Sequence, residues 1–497
     1  MKRGPAPGAL TSATGAAGHV RGAGASAALG WSLLNTGIAK LGTLGIGIVL
    51  ARLLGPDSYG TFAVAMVALL AVLTLNELGV SLAIVRWPGD PRAIAPTVTT
   101  LSIASSTVFC VAGLAAAPWF ATVMGDPEAT DVVRVMVCCV LVSGVVATPA
   151  ALMQRSFDQK TKMVIDQVNV WVGAIVSVVL VLAGLGAMSL AVGRLAGSII
   201  SGVVFVIKSP LPLRAGWDLK VVLPLLRFGL PLAGASIVVF CVSYLDQLVT
   251  GSLLGPTMLG LYVLAFNLSS WPVTVFSQPL RSVAPAVFAR LQHDPEGLRS
   301  AMSALIGVLA SITFPMVALL AAASGPIVGL VYGEAWAAAA GALYWLAILA
   351  GFRILFELIY DYLVVVGMTG SIMSTQLFWL AALVPALLLG AGCGIEGVAM
   401  AQLLVVTAVV LPIYLWRLSV AGVGPWKVAR QLSLPTVGSA LLVVGAGLLS
   451  DGRLPAWIAL LIASMATMAV VSGLLWLRRE DVAALRLLGR RGGLDQH

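Results

Sequence analysis

Apolar residues run along this chain in blocks of twenty or more, each closed by a short cluster of Pro, Gly or charged residues. Cutting at those clusters leaves runs near 28–51, 59–85, 94–118, 131–152, 164–184, 187–207, 226–250, 259–288, 299–322, 337–366, 371–390, 395–416, 431–449 and 455–477. A helix needs about 20 residues to cross about 30 Å of hydrocarbon, and it satisfies its own backbone hydrogen bonds there. The pattern predicts an all-α polytopic membrane protein with about 14 transmembrane helices.

The blocks also repeat. Leu53-Leu54-Gly55-Pro56-Asp57-Ser58-Tyr59-Gly60-Thr61-Phe62 returns as Leu253-Leu254-Gly255-Pro256-Thr257-Met258-Leu259-Gly260-Leu261-Tyr262, each copy between two apolar runs. Gly184-Leu185-Gly186 likewise parallels Gly392-Cys393-Gly394, and Gly125 parallels Gly333. Six spans per half is an even number, so both halves enter the membrane in the same sense, as in parallel-repeat transporters. The expected organisation is a flexible cytoplasmic tail over 1–25, an N-lobe over 26–207 (spans 1–6), a cytoplasmic linker over 208–225 and a C-lobe over 226–416 (spans 7–12). Two extra spans follow over 431–477, then a basic cytoplasmic tail over 478–497.

Composition agrees with lipid as the solvent. Of 497 residues 60% are hydrophobic and 10% charged, with a mean hydropathy of +1.03, against about 25% charged in soluble domains. The net charge of +9 comes from Lys and Arg scattered singly between spans, which signals topology and not nucleic-acid binding. With the N-terminus inside, 23 of the 29 basic residues fall on cytoplasmic segments, placing both termini in the cytoplasm and the chain in the cytoplasmic membrane. The first 25 residues lack the apolar core of a signal peptide. The five cysteines lie in or beside apolar runs without metal or redox spacing.

Several chemistries are excluded. No G-x-x-x-x-G-K-[ST] occurs, so ATP hydrolysis is not expected. Gly392-x-Gly394-x-x-Gly397 fits a dinucleotide fingerprint in letters only, because it joins two apolar spans and not a strand and a helix. His19, His293 and His497 are isolated, so no metal site is expected. The outer connections are too short for a catalytic domain, and no catalytic residues are expected.

Charges within spans are costly, roughly 2.5–3.5 kcal/mol each at the bilayer centre. Such residues here are Lys40, Arg194 and Arg353, with Glu77, Asp166, Asp246, Glu357 and Asp361 as acids. Arg353, Glu357 and Asp361 lie at i, i+4 and i+8 and so share one helix face, which requires an aqueous cavity or a facing partner. An Arg353–Glu357 ion pair and a substrate role both fit that stripe. Lys40 has no acid three or four residues away, so its counter-charge lies on another span or on a ligand. Arg194 stands among Gly193, Gly197 and Ser198, where close helix packing competes with ligand binding. Asp246 fits a cation site or a partnership with Arg52.

Leu50-Ala51-Arg52-Leu53-Leu54-Gly55-Pro56 after span 1, Glu77-Leu78-Gly79 in span 2, Leu225-Leu226-Arg227-Phe228-Gly229-Leu230-Pro231 entering span 7, Tyr244-Leu245-Asp246-Gln247 and Tyr332-Gly333-Glu334-Ala335-Trp336 occur in order along nearly the whole chain. In these segments the chain resembles the polysaccharide-exporter (Wzx-type) flippases of the multidrug/oligosaccharidyl-lipid/polysaccharide (MOP) superfamily. The resemblance implies two six-helix lobes around a central cavity and, as cargo, an oligosaccharide on a polyprenyl pyrophosphate, moved by alternating access without covalent catalysis. It implies Lys40, Arg52, Arg194 and Arg353 as headgroup-binding residues, and Glu77, Asp246, Glu357 and Asp361 as candidates for H+ or Na+ coupling. It implies no cofactor. Membrane lipids, a polysaccharide polymerase and glycosyltransferases are the partners of a monomer. A small-molecule or cation antiporter of the multidrug branch and a lipid II flippase are the alternatives.

Overall fold

A computed structural model of the chain describes residues 22–76, 84, 89–156, 158–273, 288, 291, 294–449 and 455–483, with side chains from residue 45 onward apart from a few positions. Every regular element among these residues is helical. In chain order they are α1 (Gly22–Asn76), α2 (Ala95–Val123), α3 (Pro127–Arg155), α4 (Gln159–Leu182), α5 (Ala187–Ile207), α6 (Leu219–Leu254), α7 (Pro256–Ser269), α8 (Pro295–Ala322) and α9 (Ser324–Val331). They continue with α10 (Ala339–Val365), α11 (Thr369–Ala391), α12 (Gly394–Val420), α13 (Pro425–Leu449) and α14 (Ala456–Leu477). The backbone forms two compact units, residues 1–47, where described part of α1, and residues 48–497. The packing below is that of the second.

Twelve helices among the described residues are long and apolar enough to cross a membrane, against the fourteen expected from sequence. The difference lies at two places. Spans 1 and 2 merge into α1, described as one apolar stretch over Gly45–Asn76 although Gly55 breaks it. Span 8 is described only as the shorter Pro256–Ser269, the rest of it lying outside the described residues. The segment after Ser324, expected as a plain connection, contains the eight-residue helix α9.

The duplicated turn has one geometry in both copies. Gly55 (φ 71°, ψ 173°) and Gly255 (φ 86°, ψ 175°) take a backbone conformation that a Cβ disfavours, and Pro56 and Pro256 follow at the start of the next helical segment. Gly125 and Gly333 match as well, at φ 73° and 95°. In the third pair Gly186 and Gly394 both have positive φ, whereas Gly184 does and Gly392 does not.

Each lobe has its own core. One cluster gathers Tyr262, Leu305, Leu346, Ile359 and Val398 in the C-lobe; the other gathers Val64, Leu69, Met124, Met136 and Val140 in the N-lobe. Helices α13 and α14 pack on α8. There Arg478, 8% exposed, donates to the Gln431 carbonyl oxygen at 2.6 Å and to the Gln431 side chain, with Asp481 3.6 Å away. Burial presses its guanidinium below the ordinary arginine pKa, and Asp481 opposes that shift. A Cβ at Gly307 of α8 would collide with this guanidinium, so the glycine makes room for the dock.

Helices α4 and α5 approach through small residues. A Cβ at Gly193 would stand 2.6 Å from the Gly173 carbonyl oxygen, and one at Gly197 would collide with the Asn169 carbonyl, the close approach that small residues allow between membrane helices. Gly197→Leu is expected to destabilise the N-lobe by about 1–3 kcal/mol and to lower the melting temperature in detergent. An unchanged melting temperature would show that the two helices do not touch there.

Candidate functional site

The C-lobe holds a partly open cavity of about 330 Å³, lined by α6, α7, α10, α11 and α12. Arg353 and Glu357 of α10 line it one turn apart, as the i, i+4 stripe predicts. Asp361, the next member, is buried one turn further on and is not among the lining residues. The Arg353 guanidinium lies 5.1 Å above the Phe266 ring, a cation–π contact. Among the described residues it makes no hydrogen bond or ion pair, so the Arg353–Glu357 pair is not formed; Asp246 stands within its electrostatic reach.

The rest of the lining is largely aromatic and amide. Phe356 stacks on Tyr414 at 4.7 Å and meets the edge of Trp379 at 6.1 Å, while Tyr360, Gln376 and Gln402 also line the space. The Gln376 Oε1 is buried without a hydrogen-bond partner. Val406, at the start of the π-helical turn Val406–Val410, reaches the same cavity, and such single turns often mark functional sites. None of these aromatic or amide residues was singled out by sequence. The available signal was the two glutamines, polar side chains inside apolar runs.

Asp246 of α6 is fully buried. The Tyr262 hydroxyl donates to its Oδ2 at 2.8 Å, whereas Oδ1 has no hydrogen-bond partner of ordinary geometry. Gln402 and Arg353 stand within electrostatic reach of the carboxylate. The carboxylate is therefore held within the membrane-spanning part of α6 by Tyr262 on one oxygen.

The remaining sequence candidates lie elsewhere. Arg52 does not meet Asp246; it donates to the carbonyl oxygens of Leu330 and Val331, at the end of α9, at 2.6 and 2.7 Å. Arg194 is exposed on α5 and does not line the cavity. Asp166 pairs with Lys162 at 2.9 Å on the surface. Lys40 lies on α1, but its side chain is outside those described, and Glu77 is outside the described residues altogether.

A second feature joins the lobes at the repeated turns. Thr257 donates to Asp57 at 2.6 Å. These two residues are equivalent in the repeat, and equivalent residues touch each other only on the pseudo-twofold axis. The glycines behave reciprocally. A Cβ at Gly60 would collide with the Pro256 carbonyl, and one at Gly260 would stand 2.6 Å from the Pro56 oxygen. So do their neighbours, for Tyr59 packs on the C-lobe core and Leu259 is buried in the N-lobe core. Tyr59 also meets the edge of Trp336 at 5.5 Å. Together with the Arg52 bonds, these contacts form a closed seam between the two lobes.

Comparisons with known proteins agree with this architecture. The fold matches that of the lipid II flippase MurJ in its inward closed conformation, with a TM-score of 0.75 at 13% identity over 90% of this chain and all of that one. Among characterised sequences, the succinoglycan biosynthesis transport protein ExoT of Rhizobium meliloti (strain 1021) is 26% identical over 84% of both chains. The lipopolysaccharide biosynthesis protein WzxC of Escherichia coli (strain K12) is 27% identical over 62% of this chain and 63% of its own length. The model of one family, described as polysaccharide biosynthesis protein, matches residues 49–341, more than half of the chain. With that match, and with the lobes, the repeat and the membrane helices in place, the chain belongs to the polysaccharide biosynthesis protein family.

Proposed function

We propose that this protein is a flippase that carries a polyprenyl-pyrophosphate-linked oligosaccharide from the cytoplasmic to the outer leaflet of the cytoplasmic membrane, by alternating access and without covalent catalysis. The observation that carries the reading is the Arg353 guanidinium, which makes no ion pair or hydrogen bond among the described residues, in a cavity also lined by Trp379, Tyr414, Gln376 and Gln402. A cation in low dielectric holds phosphate oxygens strongly, and aromatic faces with amide groups suit sugar rings. The polysaccharide roles named for ExoT and WzxC support the same cargo. Both termini are cytoplasmic, the seam closes the outer mouth, and polymerase and glycosyltransferases act on the two sides of the transport step.

The test is translocation in proteoliposomes containing a lipid-linked oligosaccharide, scored by accessibility of the glycan to a membrane-impermeant lectin. Transfer dependent on the protein is expected. Transport of small cations or drugs with no movement of the glycan would overturn the reading.

Asp246 is the proposed coupling site for H+ or Na+. A proton or Na+ gradient is expected to accelerate wild-type translocation roughly fivefold or more, and Asp246→Asn to run at the uncoupled rate with or without the gradient. If the variant keeps the wild-type response, coupling resides elsewhere.

A further inference from the structure

At the end of the N-lobe away from the seam, a second cavity of about 160 Å³ opens between the first turn of α2, the end of α3 and the linker that leads to the C-lobe. Arg92 reaches it from one side and Arg214, on the linker, from the other. Neither guanidinium has a hydrogen bond or ion pair among the described residues. The two closest acids in sequence are engaged in capping, Asp90 accepting from the Arg92 backbone N–H at 2.9 Å and Asp218 from that of Lys220 at 2.9 Å. Inside the cavity are the hydroxyls of Thr99 and Thr148, both buried and joined at 2.9 Å. The start of α2 adds the positive end of its dipole.

Exposed apolar residues lie near the cavity in sequence. Ile207, just before the linker, and Trp217, Leu219 and Leu223 within it are all more than half exposed. The linker itself is pressed onto α2, with Gly216 N–H donating to the Thr100 hydroxyl at 3.0 Å and no room for a side chain against Pro96.

We infer that this cavity binds the phosphate of an anionic phospholipid, with Arg92 and Arg214 on its oxygens and its acyl chains over the apolar rim, and so clips the interlobe linker to the N-lobe. The inference rests on the cytoplasmic assignment of this side, where anionic headgroups meet basic juxtamembrane groups. The recognised chemistry is a phosphate oxyanion. Free phosphate offers the same oxygens, but only the lipid uses the exposed apolar rim.

Binding is measured on the delipidated full-length protein in neutral micelles by native mass spectrometry, with phosphatidylglycerol, phosphatidylcholine or inorganic phosphate added. One saturable phosphatidylglycerol site is expected, with phosphatidylcholine binding weakly and millimolar inorganic phosphate failing to compete. The double variant Arg92→Gln/Arg214→Gln is expected to weaken phosphatidylglycerol binding roughly tenfold. Arg92→Lys/Arg214→Lys is expected to retain most of it, which separates lost charge from misfolding. Lys427→Gln/Arg430→Gln removes the same charge from the start of α13 and is expected to bind as wild type. Undiminished binding by the Gln pair at the cavity, equal loss in the Lys427/Arg430 control, loss in the Lys pair, or displacement by inorganic phosphate would each overturn the inference. No glycan is present in the assay, so its failure leaves the flippase reading untouched, and failure of glycan transport leaves the lipid site untouched.

Discussion

Arg353→Ala is expected to weaken binding of the carrier headgroup by roughly 10- to 150-fold, the equivalent of one charge-assisted hydrogen bond at about 1.5–3 kcal/mol. The effect is large because nothing described in the cavity replaces the lost cation. The other charged side chain lining it is Glu357, which would face the phosphates with like charge. Translocation should fall with affinity at limiting substrate, while membrane insertion and melting temperature remain near wild type. Arg353→Lys should recover part of the loss, since the charge returns without the planar fork. Arg194→Ala should leave translocation nearly unchanged, because its side chain lies outside the cavity. Wild-type transport by Arg353→Ala would remove the headgroup role from this residue.

How much of this was legible in the chain depends on the kind of information each feature carries. Gly55 and Gly255 announced themselves because a break between two apolar runs needs a residue tolerant of positive φ followed by Pro, a local requirement written in adjacent letters. The Arg353, Glu357, Asp361 stripe was legible for the same reason, since helical spacing alone places i and i+4 on one face. The aromatic wall was not. Trp379 and Tyr414 sit in long apolar runs, and Phe356 is one apolar residue among many on α10, so no periodicity of the aromatics marks the cavity face. Gln376 and Gln402 were visible as polar exceptions, but their convergence depends on how α11 packs on α12. Arg52 is the converse case. Its charge beside the first turn suggested a ligand, yet its partners are backbone carbonyls almost 280 positions away, which no side-chain pattern encodes.

Gly60→Leu is expected to hold the seam open. A Leu side chain there has nowhere to go, because the Pro256 carbonyl already occupies the place of its Cβ and the surrounding groups are backbone. Overpacking of this kind costs about 1–3 kcal/mol. The two access states of a transporter commonly differ by only a few kcal/mol, so closed-seam molecules should become scarcer by roughly 5- to 150-fold. Because the wrong packing arises only when the turns meet, the open state keeps its stability and the protein should still fold. Two measurements follow. Thr257→Cys in the Gly60→Leu background should react faster with an impermeant maleimide added from outside, and glycan translocation should fall by about the factor by which the closed state is depleted. Gly260→Leu should act alike through the Pro56 oxygen 2.6 Å away, whereas Gly234→Leu, with open space at its Cβ, should do neither. Unchanged labelling in both seam variants would mean that the turns do not close against each other in the membrane. The repeated turn would then be a mark of duplication only. Faster labelling with impaired export would make it the gate, formed where the two halves of the duplicated fold meet on their own axis.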